Sequence, residues 1–229
     1  KPHRPKRRHE MWLEDLRTPR LLEDLHQQHY GTPWYQGYLE RRDPSMSVPV
    51  GIVDKPRLHA QDVLAYDLSD PNIGIVGEPR SGRTTTAMTF LASLAMRYTP
   101  EQVQFIGIRL GGPGLSTLDK LPHCAGIYGA DDAEGLTRAI SEIVNLVESR
   151  ERSFPEHGIE DVKDWRRRRL GLASGHVPRD GFGEVWLAID NLQDFAVRFE
   201  RSYDAIKSIM GKCLALIQIS EPTRLRRSS

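Results

Sequence analysis

The octapeptide GEPRSGRT, residues 77–84, has the glycine spacing of a loop that holds phosphate. In the pattern G-x-x-x-x-G-K-[ST], glycines let successive backbone N–H groups turn inward onto phosphate oxygens, and the following helix adds its positive N-terminal end. Gly77, Gly82 and Thr84 meet that spacing between a hydrophobic run, NIGIV, and a helical pattern. That context favours a phosphate loop over a glycine-bearing surface turn. The predicted nucleotide contacts are Gly77, Glu78, Pro79, Arg80, Ser81, Gly82, Arg83, Thr84 and Thr85. Thr84 is also a candidate magnesium ligand through its hydroxyl. Asp190, at the end of VWLAID, would hold the same ion through its water shell. The competing reading of Asp190 is a strand-end helix cap. The ligands these groups predict are ATP and Mg2+.

Two residues depart from a hydrolytic pattern. Arg83 stands where such loops carry lysine, and a planar guanidinium that prefers bidentate pairing does not replace a compact ammonium. Asn191 follows Asp190 where many nucleotide motors have glutamate, and a carboxamide cannot take a proton from the attacking water. Losing a general base costs roughly 10²- to 10⁴-fold in rate. Asp194 is the nearby carboxylate, three residues further on than a substitute needs to be. A polar strand able to sense the γ-phosphate is hard to find, because a short and mainly helical stretch separates Phe195 from Gly211. His123 and Cys124 read as a packed turn rather than as ligands.

The elements that must position these residues alternate. SVPVGIVDKP and DVLAYDL predict a strand pair leading into the main sheet. From Asn72 the order is strand NIGIV, the loop, a helix over about 84–98, and strand VQFIGI. The helix is apolar on nearly every side, so it should be buried between the sheet and something else, and Thr99-Pro100 ends it. Strand, crossover helix and strand imply a parallel pair with a right-handed connection. A second helix follows Asp131 and Asp132, with Ala133, Leu136, Ile140, Ile143, Val144 and Val147 on one face and Asp as cap. EVWLAID and LALIQI complete the strands, giving an α/β class. Residues 1–45 are polar and proline-punctuated, with Leu16, Leu21, Leu22 and Leu25 placed for short helical turns that dock on a core. The predicted division is a strap or inter-domain linker over 1–45 and a nucleotide-binding domain over 46–229.

Composition bounds the function. Lys plus Arg number 32 against 31 Asp plus Glu, so a net charge of +1 gives no overall pull toward nucleic acid or lipid. The basic runs KPHRPKRR, RRRR at 166–169 and RLRR are local, with solvated surface charge as their plain reading. Two cysteines, Cys124 and Cys213, lack partners at ligand spacing and suit a reducing cytosol. No run is long and apolar enough for a membrane span, so work at a membrane requires a tether elsewhere. The abrupt basic start reads as a piece cut from a larger polypeptide.

Together VPVGIVDKP, YDLSDPNIGIVGEPRSGRTT, TPEQVQFIGIRLGGPGLSTLDKLPHCAG, WRRRR and FGEVWLAIDN resemble an ATPase domain of EccC, the FtsK/SpoIIIE-type ATPase of type VII secretion systems, as found in mycobacteria and related actinobacteria. The likeness runs from about Met11 to Asn191 and, more weakly, through IMGKCLALIQI; MWLEDL is similar to the segment joining consecutive ATPase domains. The resemblance implies a RecA-like P-loop fold in a string of domains on one chain, tethered at the cytoplasmic side of the membrane by other segments or subunits. It implies hexameric rings, an isolated domain that is monomeric, membrane components of the secretion complex as partners, and secreted helical hairpins as cargo. Arg83 and Asn191, with Arg109 where the family usually has an acidic residue, place the chain among degenerate second or third domains. Such a domain binds nucleotide with little or no hydrolysis and acts in assembly, regulation or substrate docking. The alternatives are an ATPase completed by a neighbouring domain or subunit and, less favoured by the charge balance, a DNA translocase domain. The region after Asn191 is shorter than the resemblance leads one to expect, implying that part of the natural chain is absent.

Overall fold

The structure is a computed structural model that describes residues 13, 15–69, 72–178, 180–210, 212 and 215–220. Cys213, Leu214, Met11 and the basic runs at 1–8 and 224–227 lie outside the described residues. The elements are α1 (Leu22–Tyr30), β1 (Ser47–Lys55), β2 (Ala60–Asp67), β3 (Asn72–Val76), α2 (Arg83–Arg97), β4 (Val103–Arg109), β5 (Cys124–Gly129), α3 (Ala133–Glu156), α4 (Val162–Arg169), β6 (Glu184–Asp190), α5 (Leu192–Arg198), α6 (Glu200–Ile209) and β7 (Ala215–Ser220).

β1 and β2 form an antiparallel hairpin of their own, with Val48 opposite Tyr66 and Ile52 opposite Val63. Its register slips at Pro49/Gly51, where proline cannot donate to the ladder. The hairpin therefore packs beside the main sheet and is not an extension of it. The other five strands form a parallel sheet in the order β3-β7-β6-β4-β5. β6 lies at its centre and is buried along its whole length. Trp186 and Ala188 face one core with Phe90, Leu91, Leu94 and Phe105, whereas Val185, Leu187 and Ile189 face another with Ile140, Ile143, Val147 and Ile206. A strand covered on both faces reads as a continuous apolar run, as EVWLAID does.

This order corrects the expected β3–β4 pair: the two strands are parallel, but β7 and β6 stand between them. Strand, helix and strand set direction without setting adjacency. β3 and β4 are three strand spacings apart, about 14 Å, and α2 is the crossover element between them. The stretch after Phe195 is helical as expected, and β7, the last strand in sequence, inserts between the loop strand β3 and the Asp190 strand β6.

The expected burial of α2 has a definite partner. On the side away from the sheet lie β1 and the preceding segment, joined to α2 by polar contacts. The Tyr38 hydroxyl lies 2.8 Å from the Ala95 carbonyl and 2.6 Å from that of Tyr98, Arg97 pairs with Asp43, and its guanidinium stacks 3.7 Å from the Tyr30 ring. α3 begins as expected, with the Asp132 side chain accepting from Gly135 N at 2.9 Å.

Candidate functional site: the phosphate loop and its carboxylate

The loop from 77 to 82 is shaped by two left-handed residues, Arg80 at φ 64° and Gly82 at φ 90°. Only a residue that tolerates positive φ lets the chain reverse twice in so short a span. The Ser81 N–H donates to Glu78 O at 3.1 Å, closing a turn, and a methyl group added at Gly77 would lie 2.5 Å from Ser81 Oγ. Gly77 thus lets the Ser81 hydroxyl approach closely, and Gly82 is favoured by conformation. Glu78, Pro79, Arg80, Ser81 and Gly82 are exposed, so the loop is an open cradle.

α2 starts directly behind it. No side chain caps its N-terminus, and its first turn carries no acid, whereas α1, α3, α4, α5 and α6 each have Asp or Glu in theirs. The free N–H groups and the positive end of the helix dipole are therefore left for an external anion.

Thr84 and Asp190 come together although they are 106 positions apart in sequence. Thr84 Oγ1 lies 3.4 Å from both carboxylate oxygens of Asp190, at the carboxyl edge of the sheet. Asp190 is buried, and desolvation pushes its carboxyl above the ordinary carboxylate range, with the Thr84 hydroxyl, the Arg83 charge and the Asn191 backbone pulling it back. A buried carboxylate beside a hydroxyl, both oxygen donors, fits a hard divalent cation. A bound cation would favour the charged form of Asp190.

Sequence reasoning missed the wall around this pair. The loop after β4 lies over it: a methyl group at Gly111 would be 3.0 Å from the Asp190 carboxylate, and one at Gly114 would be 2.7 Å from Thr84 Cγ2. The LGGPG run carried that signal, since clustered glycines mark close backbone approach. Arg109 pairs in register with Asp190, and its guanidinium is held 3.1 Å from Asp131. Arg83 is half-buried against Gly77. Thr85 lines a separate cavity of about 480 Å³ between the strap, β1 and α2.

The two carboxyl-side candidates have other occupations. Asn191 sits at φ 65°, and its Oδ1 accepts from Asp194 N at 3.2 Å, so it is the N-cap of α5. The cap role weighed against Asp190 therefore belongs to the next residue. Asp194 is paired with Arg198 at 3.1 Å. His123 is buried in a turn as expected, with Nε2 2.8 Å from Tyr98 O; the Cys124 N–H closes that turn on Leu121 O at 2.9 Å, and β5 begins at Cys124. Among the described residues no cluster of His, Cys, Asp and Glu could hold a metal ion by itself.

A parallel sheet with a glycine loop on one strand, a carboxylate on another and a helix N-terminus behind the loop defines a RecA-like P-loop domain. The chain belongs to the FtsK/SpoIIIE family, whose model matches residues 37–224. It is 36% identical over 204 residues to the ESX-5 secretion system protein EccC5 of Mycobacterium marinum, covering 88% of this chain and 15% of that protein. It is 34% identical over 212 residues to the ESX secretion system protein EccC of Thermomonospora curvata, covering 90% of this chain and 16% of that one. The cytoplasmic domain of the T. curvata type VII secretion ATPase EccC superposes with a TM-score of 0.72 at 31% identity, over 78% of this chain and 21% of its own. A structure of T. curvata EccC ATPases 2 and 3 in complex with a signal sequence peptide matches with a TM-score of 0.71 at 31% identity, over 78% of this chain and 33% of its own. The chain is homologous to EccC ATPase domains and spans about one seventh of the length of these multi-domain secretion proteins.

Proposed function

We propose that this chain is a nucleotide-holding domain of a type VII secretion protein: it binds ATP with Mg2+, turns it over little or not at all, and acts in assembly, regulation or substrate docking during export. The single observation that carries this reading is the split at the end of β6. Asp190 and Thr84 stand together as two oxygen donors that would suit a cation, while Asn191 is committed to capping a helix. Bound nucleotide would then favour one arrangement of the domain, and a neighbouring active domain would feel that shift in population. The setting inferred for it is a membrane-tethered multi-domain chain with ATPase rings on the cytoplasmic side and helical-hairpin cargo; in support, the relatives are secretion system proteins and one solved EccC structure holds a signal sequence peptide. Among the described residues no helix is long and apolar enough to cross a membrane, so the tether would lie elsewhere in the assembly.

The test is an ATP titration with and without magnesium beside a phosphate-release assay on the same protein. Saturable, magnesium-dependent binding with release at background is expected; release at motor rates from this chain alone would overturn the reading. A second reading, hydrolysis completed by a neighbour, is favoured by the openness of residues 78–82, which leaves a second subunit room to reach the phosphates. It predicts activity that rises with protein concentration. A DNA-moving role loses its main support, because the side chains of Arg166, Arg168 and Arg169 are engaged within the protein.

A further inference from the structure

The largest cavity among those described, about 1010 Å³, lies at the amino edge of the sheet, where β4 and β6 begin. Glu184 at that edge and Asp190 at the other are the two ends of one seven-residue strand, about 20 Å apart. The cavity is thus separate from the phosphate loop. Its size is at the upper end of the ~300–1,000 Å³ usual for ligand sites. One wall comes from the segment before β1, with Leu39, Arg41 and Arg42, and the other from α4 and the stretch leading to β6, with Arg166, Arg168 and Arg169.

The charge on these walls is unbalanced. Five arginines line the cavity against three carboxylates, Asp43, Glu101 and Glu184. Two of the carboxylates are already committed: Asp43 to Arg97, and Glu184 to Arg166 in a buried pair. Arg168 is matched by Asp164 from outside the cavity wall. Arg41 donates to the carbonyls of Arg97, Trp34 and Gln36, and Arg42 to that of Leu170 at 3.2 Å. Both terminal nitrogens of Arg41 are used in this way, whereas Arg42 is exposed with donors to spare. Beside them Leu39 is 77% exposed, and Phe182, next to the lining Gly181, is 40% exposed.

We propose that this cleft binds an acidic peptide segment of a partner protein, with a carboxylate on Arg42 and an apolar side chain on Leu39. Guanidinium forks recognise carboxylates, and an exposed leucine at the rim suits a peptide better than a phosphate backbone. Residues 1–8 and 224–227 are themselves strongly basic and do not complement this charge. The occupant would bridge the strap segment to the body of the domain, on the side opposite the nucleotide.

The test is fluorescence anisotropy of the whole chain with a labelled short peptide alternating glutamate and leucine. The controls are a lysine–leucine counterpart and a short oligothymidine strand. Saturable binding of the acidic peptide is expected, weakened about tenfold by Arg42→Glu and similarly by Leu39→Asp, and unchanged by ATP or by Arg83→Ala. Circular dichroism establishes that both variants remain folded, which their exposed positions favour. No saturation by about 1 mM, equal binding of the lysine peptide, tighter binding of oligothymidine, or indifference to Arg42→Glu would each overturn the proposal. So would a dimer in sedimentation that Arg42→Glu dissolves, since that assigns the cleft to a second copy. Loss of nucleotide binding in Arg83→Ala with peptide binding intact separates this site from the phosphate loop.

Discussion

At the scale of single residues, two neighbours at the end of β6 have opposite fates. Asn191 adopts a left-handed conformation and caps α5, a combination that asparagine and aspartate tolerate and longer side chains do not. Asn191→Asp is therefore expected to change stability by less than about 0.5 kcal/mol. Asn191→Glu loses the cap and strains the backbone, which costs about 2 to 3 kcal/mol. Urea denaturation of both variants checks this, and a glutamate variant as stable as the parent would contradict the cap role. Asp190 is the reverse case, a buried carboxyl raised by desolvation. A carboxyl whose folded pKa is raised costs stability as pH climbs through its unfolded value toward the folded one, and that cost is fully present at neutral pH. Asp190→Asn should accordingly stabilise the ligand-free chain by about 0.5 to 2 kcal/mol while removing the magnesium dependence of nucleotide binding. A urea midpoint that falls, or magnesium dependence that survives, would count against the assignment.

At the scale of elements, α1 is held by a buried relay that fixes a tautomer. Ser93 Oγ donates to Pro49 O at 2.6 Å, so at 2.8 Å it accepts from His26 Nε2–H, leaving Nδ1 buried without a partner. Burial, with the charges of Arg97, Arg41 and His29, lowers the His26 pKa from 6.5 to about 4. The unfolded chain then takes up the proton first, so stability is present above about pH 6.5 and is lost as pH falls toward 4. Between pH 7 and 5 this amounts to about 2 kcal/mol. Urea midpoints should show it, with a smaller slope in His26→Gln, which keeps the donor to Ser93 but does not titrate. His123, whose imidazole burial also holds low, contributes to the slope that remains. An unchanged slope would remove His26 from the account.

The same scale decides what was legible in the sequence. α2, α3, β4 and β6 were readable because their apolar periods are long and their ends are marked by Thr99-Pro100, Asp132 and Asp190. β5 was not, since CAGIYG has two glycines in six residues and owes its strand to pairing with β4. α4 was hidden by its arginines, three of which line the amino-edge cavity. Of the site, the glycines and the Thr84–Asp190 pair were legible from spacing. The glycine wall over them and the cap at Asn191 were not, because both arise from tertiary approach and local φ.

At the scale of the whole molecule, the candidate groups for holding nucleotide lie on one chain and at one edge of the sheet. Binding alone then stabilises the fold by mass action, about 2.7 kcal/mol at a hundredfold excess over Kd. For a domain of this size that corresponds to a rise in Tm of roughly 5 to 10 °C. The rise should be larger with magnesium than with chelator, and Asp190→Asn should erase that difference. In the proposed reading the grip lies within one chain, so the shift should not vary with protein concentration, whereas hydrolysis completed in trans would rise with it. Differential scanning fluorimetry over a wide range of protein concentration, at fixed saturation with Mg·ATP, separates the two. A shift that grows as the protein is concentrated would mean that the cradle needs a second subunit to close it, and the holding would then belong to the ring and not to the domain.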